Sequence, residues 1–509
     1  MNKSCMIVVG GLSLVLALTW QNAVAIAAEA AVFEMREVSA FEEAKNNEKL
    51  SGQLLEGQYA FCEAEPSDEV KKYPKLNSSK PLYGTTTFDA SYFAPGAGLQ
   101  FHFVIDASGT EKATKEESPS LLDTLAKSLG GGGSTEKKPA PKYDRLYFDV
   151  NRDFDLTNDP ALTLMKEPPV GLRPTDATSV SLGEHQKVFD YLTVKFDHGP
   201  EVGTRPLRIL PLLETGEVYG GMAYMKFLLP VVRKGDIRIG SREYTAVLAQ
   251  SDLITGRFDR PATGLYLTPK DGKAEARSLW GGEWLSMMRK ADGQLYTVKA
   301  SPTGDKLFVE PYQGAYGFFE VGPGGRNIDK LGASGLLISE GESLFTVGEI
   351  ASHFSAEKTP RQRLPEGNYQ PMMLTVDFGR LEVSLMPNYM AEDGTERTDV
   401  KPAFNIAVRK DKPFVLDFSN KPNVTFISPR PEETFKPGDS VSISAMLVDQ
   451  KLDLMIRDIK DTTKKERELT YTDEQGNPVT VPNYASLDPT VTITDSSGKQ
   501  VASGKMPFG

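Results

Sequence analysis

Oxygen-bearing side chains recur at every second position in one short stretch, which follows the apolar run from Leu146 to Phe148. An extended or turning backbone with this spacing could gather several oxygens around one hard cation. Carboxylates held this close would otherwise repel one another. The sequence therefore predicts a calcium site, called here the Asp loop, with ligands Asp149, Asn151, Asp153, Asp155 and Asp159.

The Asp loop follows the pattern of an EF-hand calcium loop only in part. If Asp149 is position 1, oxygens fall at positions 3, 5, 7 and 9, the last on Thr157. Phe154 stands where that loop requires Gly, and Pro160 stands where it requires a bidentate Glu. Asp159 is the candidate replacement for this Glu. The alternative is a polar turn whose Asp and Asn side chains bond local backbone amides.

A second polar loop follows another strand-like run, and its candidate oxygen ligands are Asp252, Thr255 and Asp259. We expect it to be a degenerate echo of the Asp loop. Signatures of other chemistries are missing from the sequence. The four His residues lack zinc-protease spacing, no Gly-x-Ser-x-Gly elbow is present, and no P-loop Lys-Ser/Thr follows the Gly-rich runs.

Aromatic residues cluster at Trp280, Trp284 and residues 311–319, with Glu283 beside the first two. Exposed aromatic rings next to carboxylates could stack on sugar rings, whereas burial in a core or a hairpin edge is the alternative. A glycosidase would need two facing carboxylates, and the sequence offers many without selecting a pair.

The first residues have the features of a secretory signal peptide, predicted at 1–30. Lys3 provides a positive start, an apolar run extends from Met6 to Leu18, and Ala-rich cleavage sites follow. An uncleaved anchor is the alternative, but the apolar run is shorter than the ~20 residues that a span requires. We expect an exported protein, periplasmic, at the cell surface or extracellular, without a transmembrane segment after cleavage.

Net charge and cysteine content indicate which ligands and which covalent cross-links this protein can have. The formal net charge of −11 disfavours binding to nucleic acid and is compatible with cations as ligands. Only Cys62 remains after the predicted cleavage, so no intramolecular disulfide can form although export would permit one. No catalytic signature surrounds Cys62, and we expect it to be a buried small hydrophobe.

The predicted fold class is mostly β, with several antiparallel β-sandwich or barrel-like domains in tandem and few helices. Short runs alternate apolar and polar residues between Gly- and Pro-containing turns, as in residues 99–105, 191–196 and 295–300. Residues 237–248 are typical of a hairpin that turns at Gly240 and Ser241. The best helical stretches are residues 40–50 and 118–129.

The domain organisation follows from composition and turn signals. Residues 111–141 are rich in Lys, Glu, Ser and Gly, which is typical of a flexible insertion between two strands that can still pair. The predicted parts after the signal peptide are a partly helical N-terminal segment (31–79), a β-rich domain with that insertion (80–328), a small β-sandwich (329–417) and an immunoglobulin-like or fibronectin-like sandwich (418–509).

Four segments of the chain together carry a resemblance to a known group of proteins. They are 80–84 (KPLYG), 143–159 (YDRLYFDVNRDFDLTND), 253–261 (LITGRFDRP) and 321–326 (VGPGGR). They resemble a group of exported, uncharacterised bacterial proteins of the planctomycete type, with an Asp-rich loop and a C-terminal immunoglobulin-like domain. The resemblance extends over roughly residues 80–417. It implies a secreted bacterial protein and does not point to a particular activity.

These observations favour an exported multidomain β-protein that acts as a binding or cell-envelope interaction module stabilised by calcium. Its expected partner is a cell-envelope polysaccharide or protein. The alternative is a carbohydrate-active hydrolase whose paired carboxylates come from separate strands. The absence of a catalytic signature favours the module.

Overall fold

The computed structural model describes residues 30–508 with gaps. Most of the predicted signal peptide, nearly all of the insertion predicted at 111–141 and the helix predicted at 118–129 lie outside the described residues. The gaps are 91–97, 111–140, 173–185, 216–221, 251–252, 273–283, 326, 329–330, 349–360, 392, 396, 398–402, 418, 420, 431, 437 and 473–477.

Two short helices interrupt an otherwise strand-rich chain within the described residues. They are α1 (Ala40–Asn46) and α2 (Glu48–Leu54), where one helix was predicted over residues 40–50. The chain leaves the helical conformation at Asn47, with φ −135° and ψ 83°, so α2 starts anew. Neither helix has the length and apolarity that crossing a bilayer would demand.

The strands before residue 312 supply three antiparallel sheets. They are β1 (Ala31–Glu34), β2 (Arg36–Ser39), β3 (Gln58–Glu63), β4 (Leu82–Phe88), β5 (Leu99–Thr110), β6 (Pro141–Phe148), β7 (Leu162–Thr163), β8 (Gln186–Val188), β9 (Leu192–Asp197), β10 (Thr204–Thr215), β11 (Ala223–Leu228), β12 (Val231–Ile239), β13 (Arg242–Ala249), β14 (Gly264–Pro269), β15 (Arg289–Ala291), β16 (Gln294–Ala300) and β17 (Lys306–Pro311).

The remaining strands form a second group. They are β18 (Tyr316–Val321), β19 (Leu331–Ser339), β20 (Leu344–Val347), β21 (Arg361–Pro365), β22 (Gly367–Phe378), β23 (Leu381–Pro387), β24 (Ile406–Val408), β25 (Phe414–Leu416), β26 (Asn423–Ser428), β27 (Ser444–Asp449), β28 (Leu454–Thr472), β29 (Pro478–Ser486), β30 (Thr490–Thr494) and β31 (Gln500–Lys505). This mostly β architecture of several antiparallel sheets confirms the predicted fold class.

The first group is organised around a nine-stranded sheet in the order β7-β6-β5-β4-β3-β11-β10-β8, with β9 paired to β10. Two four-stranded sheets, β14-β13-β12-β2 and β1-β17-β16-β15, complete it. Phe103, Ile237 and Val298 come from three different sheets and share one hydrophobic core. Because β1 and β2 pair with β17 and β12, the segment predicted as N-terminal is built into this group.

Two sequence predictions about this group are confirmed. Strands β5 and β6 pair across the predicted insertion, with Ile105 opposite Leu146. Strands β12 and β13 form the predicted hairpin, with Ile239 opposite Arg242. The long connection between β5 and β6 is tolerated because the entropy of loop closure grows only slowly with length.

The second group contains another nine-stranded sheet in the order β20-β19-β22-β23-β28-β27-β26, with β24 on β22 and β29 on β28. A three-stranded sheet, β21-β18-β25, packs with it around a second core that includes Phe319, Tyr369 and Ile456. The buried Tyr369 hydroxyl donates a 2.6 Å hydrogen bond to the Pro365 carbonyl and fixes the β21–β22 turn. Strands β30 and β31 form the C-terminal hairpin expected from the sequence.

The ladder between β23 and β28 joins residues on the two sides of the boundary predicted at 417/418. Leu385 lies opposite Ile456, and both side chains are buried in the second core. The strands assigned to the small sandwich and those assigned to the C-terminal sandwich therefore share one sheet.

Candidate functional site

The Asp loop leaves the end of β6 beside β5. The Asp149 amide donates a 2.9 Å hydrogen bond to the His102 carbonyl, which extends the ladder by one residue. The Asp149 side chain is buried, and its two oxygens accept hydrogen bonds from the amides of Asp153 (3.2 Å) and Phe154 (3.0 Å). Asp149 therefore holds the loop in its turn from within.

The loop adopts the left-handed backbone that its sequence disfavours. Arg152 has φ +59° and Phe154 has φ +66°, and each such residue costs roughly 1–2 kcal/mol when it is not Gly. The Phe154 ring lies 5.5 Å from the His102 ring, and the Lys71 ammonium lies 5.2 Å from its centroid. Phe154 thus occupies a conformation for which Gly is the usual residue, and its ring contacts both His102 and the strap.

The predicted ligands at the loop's centre are bonded to one another. The Asp153 carboxylate accepts hydrogen bonds from the side-chain amides of Asn158 (2.8 Å) and Asn151 (3.2 Å) and from the Asp155 backbone amide (2.9 Å). These bonds keep the pKa of Asp153 below its usual value, with the Asn158 bond as the largest cause. Asp153 is thus available as an anion.

The Asp155 carboxylate points away from this centre. It lies 2.6 Å from the Lys72 ammonium and also accepts a hydrogen bond from the Thr157 hydroxyl. The Lys72 bond is the main cause that lowers the pKa of Asp155 to about 2. Asp155 is position 7 of the loop, and in an EF-hand-type loop this position binds the ion through its backbone carbonyl. The Asp155 side chain could therefore stay paired with Lys72 while the carbonyl binds calcium.

Among the described residues of the loop, Asp159 carries the one buried side-chain polar atom that lacks a hydrogen-bond partner. Its Oδ1 accepts a 3.4 Å hydrogen bond from the Val150 amide, whereas its Oδ2 is buried and unpaired. Burial, with the charges of Asp149, Asp153 and Asp155 as smaller causes, raises the pKa of Asp159 to about 6. A carboxylate destabilised in this way would be relieved by a cation.

The oxygen donors of the Asp loop are of the kind that calcium prefers, although their side chains do not point to a common centre in this structure. Within the described residues, no three His, Cys, Asp or Glu side chains stand close enough to hold a metal ion. Calcium takes six to eight oxygen ligands, and the loop offers carboxylates, an Asn carbonyl and backbone carbonyls. Asp149, Asn151, Asp153 and Asp159 would hold the ion through side chains, and Asp155 would hold it through its carbonyl.

The segment between β3 and β4, residues 64–81, lies over the outer face of the sheet and is called here the strap. It is attached to the Asp loop by main-chain bonds, from the Lys71 amide to the Phe154 carbonyl (2.8 Å) and from the Leu156 amide to the Lys72 carbonyl (3.0 Å). A buried side chain on β5 attaches it elsewhere, since the Asp106 carboxylate accepts hydrogen bonds from the amides of Asn77 and Ser78. The buried His102 Nε2 lies 3.1 Å from the Glu69 carboxylate on the strap.

An open groove of about 280 Å³ runs along the other side of the strap. Tyr59, Phe61 and Glu63 project into it from β3, because alternate residues of a strand face the same side. Tyr83 on β4 and Tyr73 on the strap form the opposite wall, with ring centroids 5.1 Å apart in an edge-to-face arrangement.

Sequence reasoning missed this groove. The signal was the outward alternation of Tyr59, Phe61 and Glu63, which face solvent while Gln58 and Ala60 face the core. The aromatic residues that the sequence suggests as a sugar-binding cluster are not part of this groove. Trp280 and Glu283 lie outside the described residues, and Phe319 is buried in the second core.

The second polar loop and Cys62 are both poor candidates for a functional site. In the second polar loop the Asp259 carboxylate pairs with Arg257 at 2.5 Å, and the buried Thr255 hydroxyl donates to the Arg257 carbonyl. Asp252 lies outside the described residues. Burial raises the pKa of the Cys62 thiol to about 12, which keeps it protonated and disfavours a nucleophilic role.

Comparison of the chain with protein-family models, with curated proteins and with solved structures found no match.

Proposed function

We propose that this chain is an exported β-protein that acts as a binding module at the cell envelope and is stabilised by one calcium ion in the Asp loop. Export is supported by the signal-peptide pattern, which contains Lys3 and an apolar run to Leu18. The calcium site is supported above all by the buried, unpaired Oδ2 of Asp159 beside three other carboxylates.

The stabilising role follows from the position of the loop. The Asp loop is bonded to the strap through Lys71 and Lys72, and the strap in turn donates hydrogen bonds to Asp106 on β5. A cation that neutralises Asp149, Asp153 and Asp159 would therefore stabilise both segments. At a calcium concentration about 100-fold above the dissociation constant, binding adds about 2.7 kcal/mol to the free energy of unfolding.

Thermal unfolding of the mature chain, with calcium and with EDTA, tests this proposal. We expect calcium to raise the melting temperature by several degrees, and magnesium at the same concentration to raise it less, because its octahedral preference suits this loop poorly. Asp153→Ala should abolish the calcium effect, and Asp411→Ala, in an exposed turn, should retain it. Equal melting temperatures of the wild type in calcium and in EDTA would refute the proposal.

The carbohydrate-active hydrolase is the second candidate, because Glu63 and Glu65 both line the groove beside aromatic rings. A glycosidase places two carboxyl groups about 5–10 Å apart on either side of the scissile bond. Incubation with soluble neutral polysaccharides, followed by an assay of reducing ends, tests this candidate. Activity that Glu65→Gln abolishes would establish it, and its absence leaves the binding module.

A further inference from the structure

The groove beside the strap combines aromatic walls with free negative charge. Phe61 is 64% exposed at its floor, which is unusual for a large aromatic side chain. Glu63 stands directly opposite Tyr83 across the β3–β4 ladder, and Glu65 follows at the start of the strap. Within the described residues neither carboxylate takes part in a hydrogen bond or an ion pair.

The rings of this face lie in a negative field. The phenol of Tyr83 has a raised pKa because of burial first and then the charges of Glu65 and Asp106. Burial is also the first cause for the raised pKa of Tyr73, with Asp68 as a further one. Such a field attracts cations and disfavours anions.

The same face already holds a cation against an aromatic ring. The Lys226 ammonium, which comes from β11, lies 5.0 Å from the centroid of Tyr59, one of the residues that line the groove. Cation–π attraction of this kind is strongest where rings and carboxylates act together in a partly desolvated site. Phe61, Tyr73 and Tyr83 offer further rings that hold no cation within the described residues.

We infer that this groove binds an organic ammonium group, held between Phe61, Tyr73 and Tyr83 with Glu63 and Glu65 as counter-ions. The inference rests on the proposed binding function and names its ligand class. Aromatic rings supply the walls that a methylated or alkyl ammonium prefers. The two carboxylates supply its counter-charge, and a neutral ligand would leave them unpaired.

Ligand-observed saturation-transfer NMR on the mature chain tests the inference with two pairs of probes that differ in charge. Choline is compared with its neutral isostere 3,3-dimethylbutan-1-ol, and glucosamine, at a pH where its amine is charged, with glucose. We expect the charged member of at least one pair to bind at least tenfold more tightly than the neutral member. Choline would point to a lipid head group as the source, and glucosamine to an amino sugar.

Variants locate the site. Phe61→Ala and the double variant Glu63→Gln/Glu65→Gln should each weaken binding at least tenfold. Phe426→Ala, which truncates a 54% exposed aromatic side chain on β26, should leave it unchanged. The inference is overturned if no charged probe binds, if neutral probes bind equally well, or if binding survives in both groove variants.

The melting temperature of each sample in calcium and in EDTA is recorded alongside. A calcium-dependent shift without ammonium binding would refute the ammonium site in the groove and would leave the proposal of a calcium-stabilised module intact. Ammonium binding without a calcium shift would support the groove and contradict the role proposed for the Asp loop.

Discussion

Each carboxylate of the Asp loop has a separate task at the scale of single residues. Asp149 holds two backbone amides from a buried position, and Asp155 is paired with Lys72. The spacing of oxygens identified the loop, but it did not separate these tasks, because they depend on the strap. Lys72 lies 83 residues before Asp155, and no local pattern connects the two.

Asp159 gives a pH-dependent prediction for the calcium-free protein. An unfolded Asp titrates near ~4, whereas burial raises the pKa of Asp159 to about 6 in the folded chain. Between these values only the folded state retains the proton, so the free energy of unfolding falls as pH rises through this window. In EDTA, the wild type should therefore lose stability relative to Asp159→Asn as pH rises from 4.5 to 7.5, because Asn carries no charge at either pH.

Thermal unfolding of both proteins at the two pH values measures this difference. Saturating calcium at the higher pH should reverse the order, because the wild-type carboxylate then has a cation to bind. Asp411→Asn serves as the control at an exposed turn. A difference between wild type and Asp159→Asn that is the same at both pH values would contradict the role of burial.

At the scale of elements, period-2 alternation located several strands well, as in β9, β16 and the β12–β13 hairpin. Alternation does not tell which face of β27 is the more deeply buried. Met446 and Val448 are buried, whereas Ala445 and Leu447 are half-buried. Met446 and Val448 belong to a small Met-rich cluster, which no local pattern in the strand indicates.

The approach of β4 to β5 yields a prediction about packing. A Cβ atom at Gly84 would lie 2.2 Å from the Phe103 ring, in the core of the first group. Gly84→Ala should therefore lower the free energy of unfolding by roughly 1–3 kcal/mol through overpacking. Gly504→Ala on β31 is a matched control, because nothing lies within 4 Å of its added Cβ.

Urea unfolding of the two variants measures the effect. The control should stay within about 0.5 kcal/mol of the wild type, as surface substitutions commonly do. Equal stability of Gly84→Ala and Gly504→Ala would show that the Phe103 ring moves aside at little cost.

At the scale of the whole molecule, three large hydrophobic cores lie within the described chain, two of them built from residues before 312 and one from residues after it. The first core draws on residues from Met35 to Val309, and the second core, the one after residue 312, begins with Phe319. Composition predicted tandem β-rich parts, but the partners of each strand depend on contacts between distant residues. The pairing of β1 with β17 and of β23 with β28 is of this kind, and no turn signal or linker marks it.

The shared sheet makes a prediction about residues 418–509 expressed alone. Without β23, the edge of β28 would lose its partner, and Leu454 and Ile456 would lose the second core. We expect no cooperative thermal transition in this fragment, measured by circular dichroism, whereas the mature chain should unfold cooperatively. A cooperative transition from a strand-rich spectrum would show an independent C-terminal sandwich and contradict this expectation.

Isothermal titration of the mature, EDTA-treated chain with calcium tests the central claim most directly. The proposed site predicts one ion bound per chain in the wild type and none in the Asp149→Ala/Asp153→Ala variant, with binding retained in Asp411→Ala. Absence of calcium binding in the wild type, or equal binding in the double variant, would contradict it.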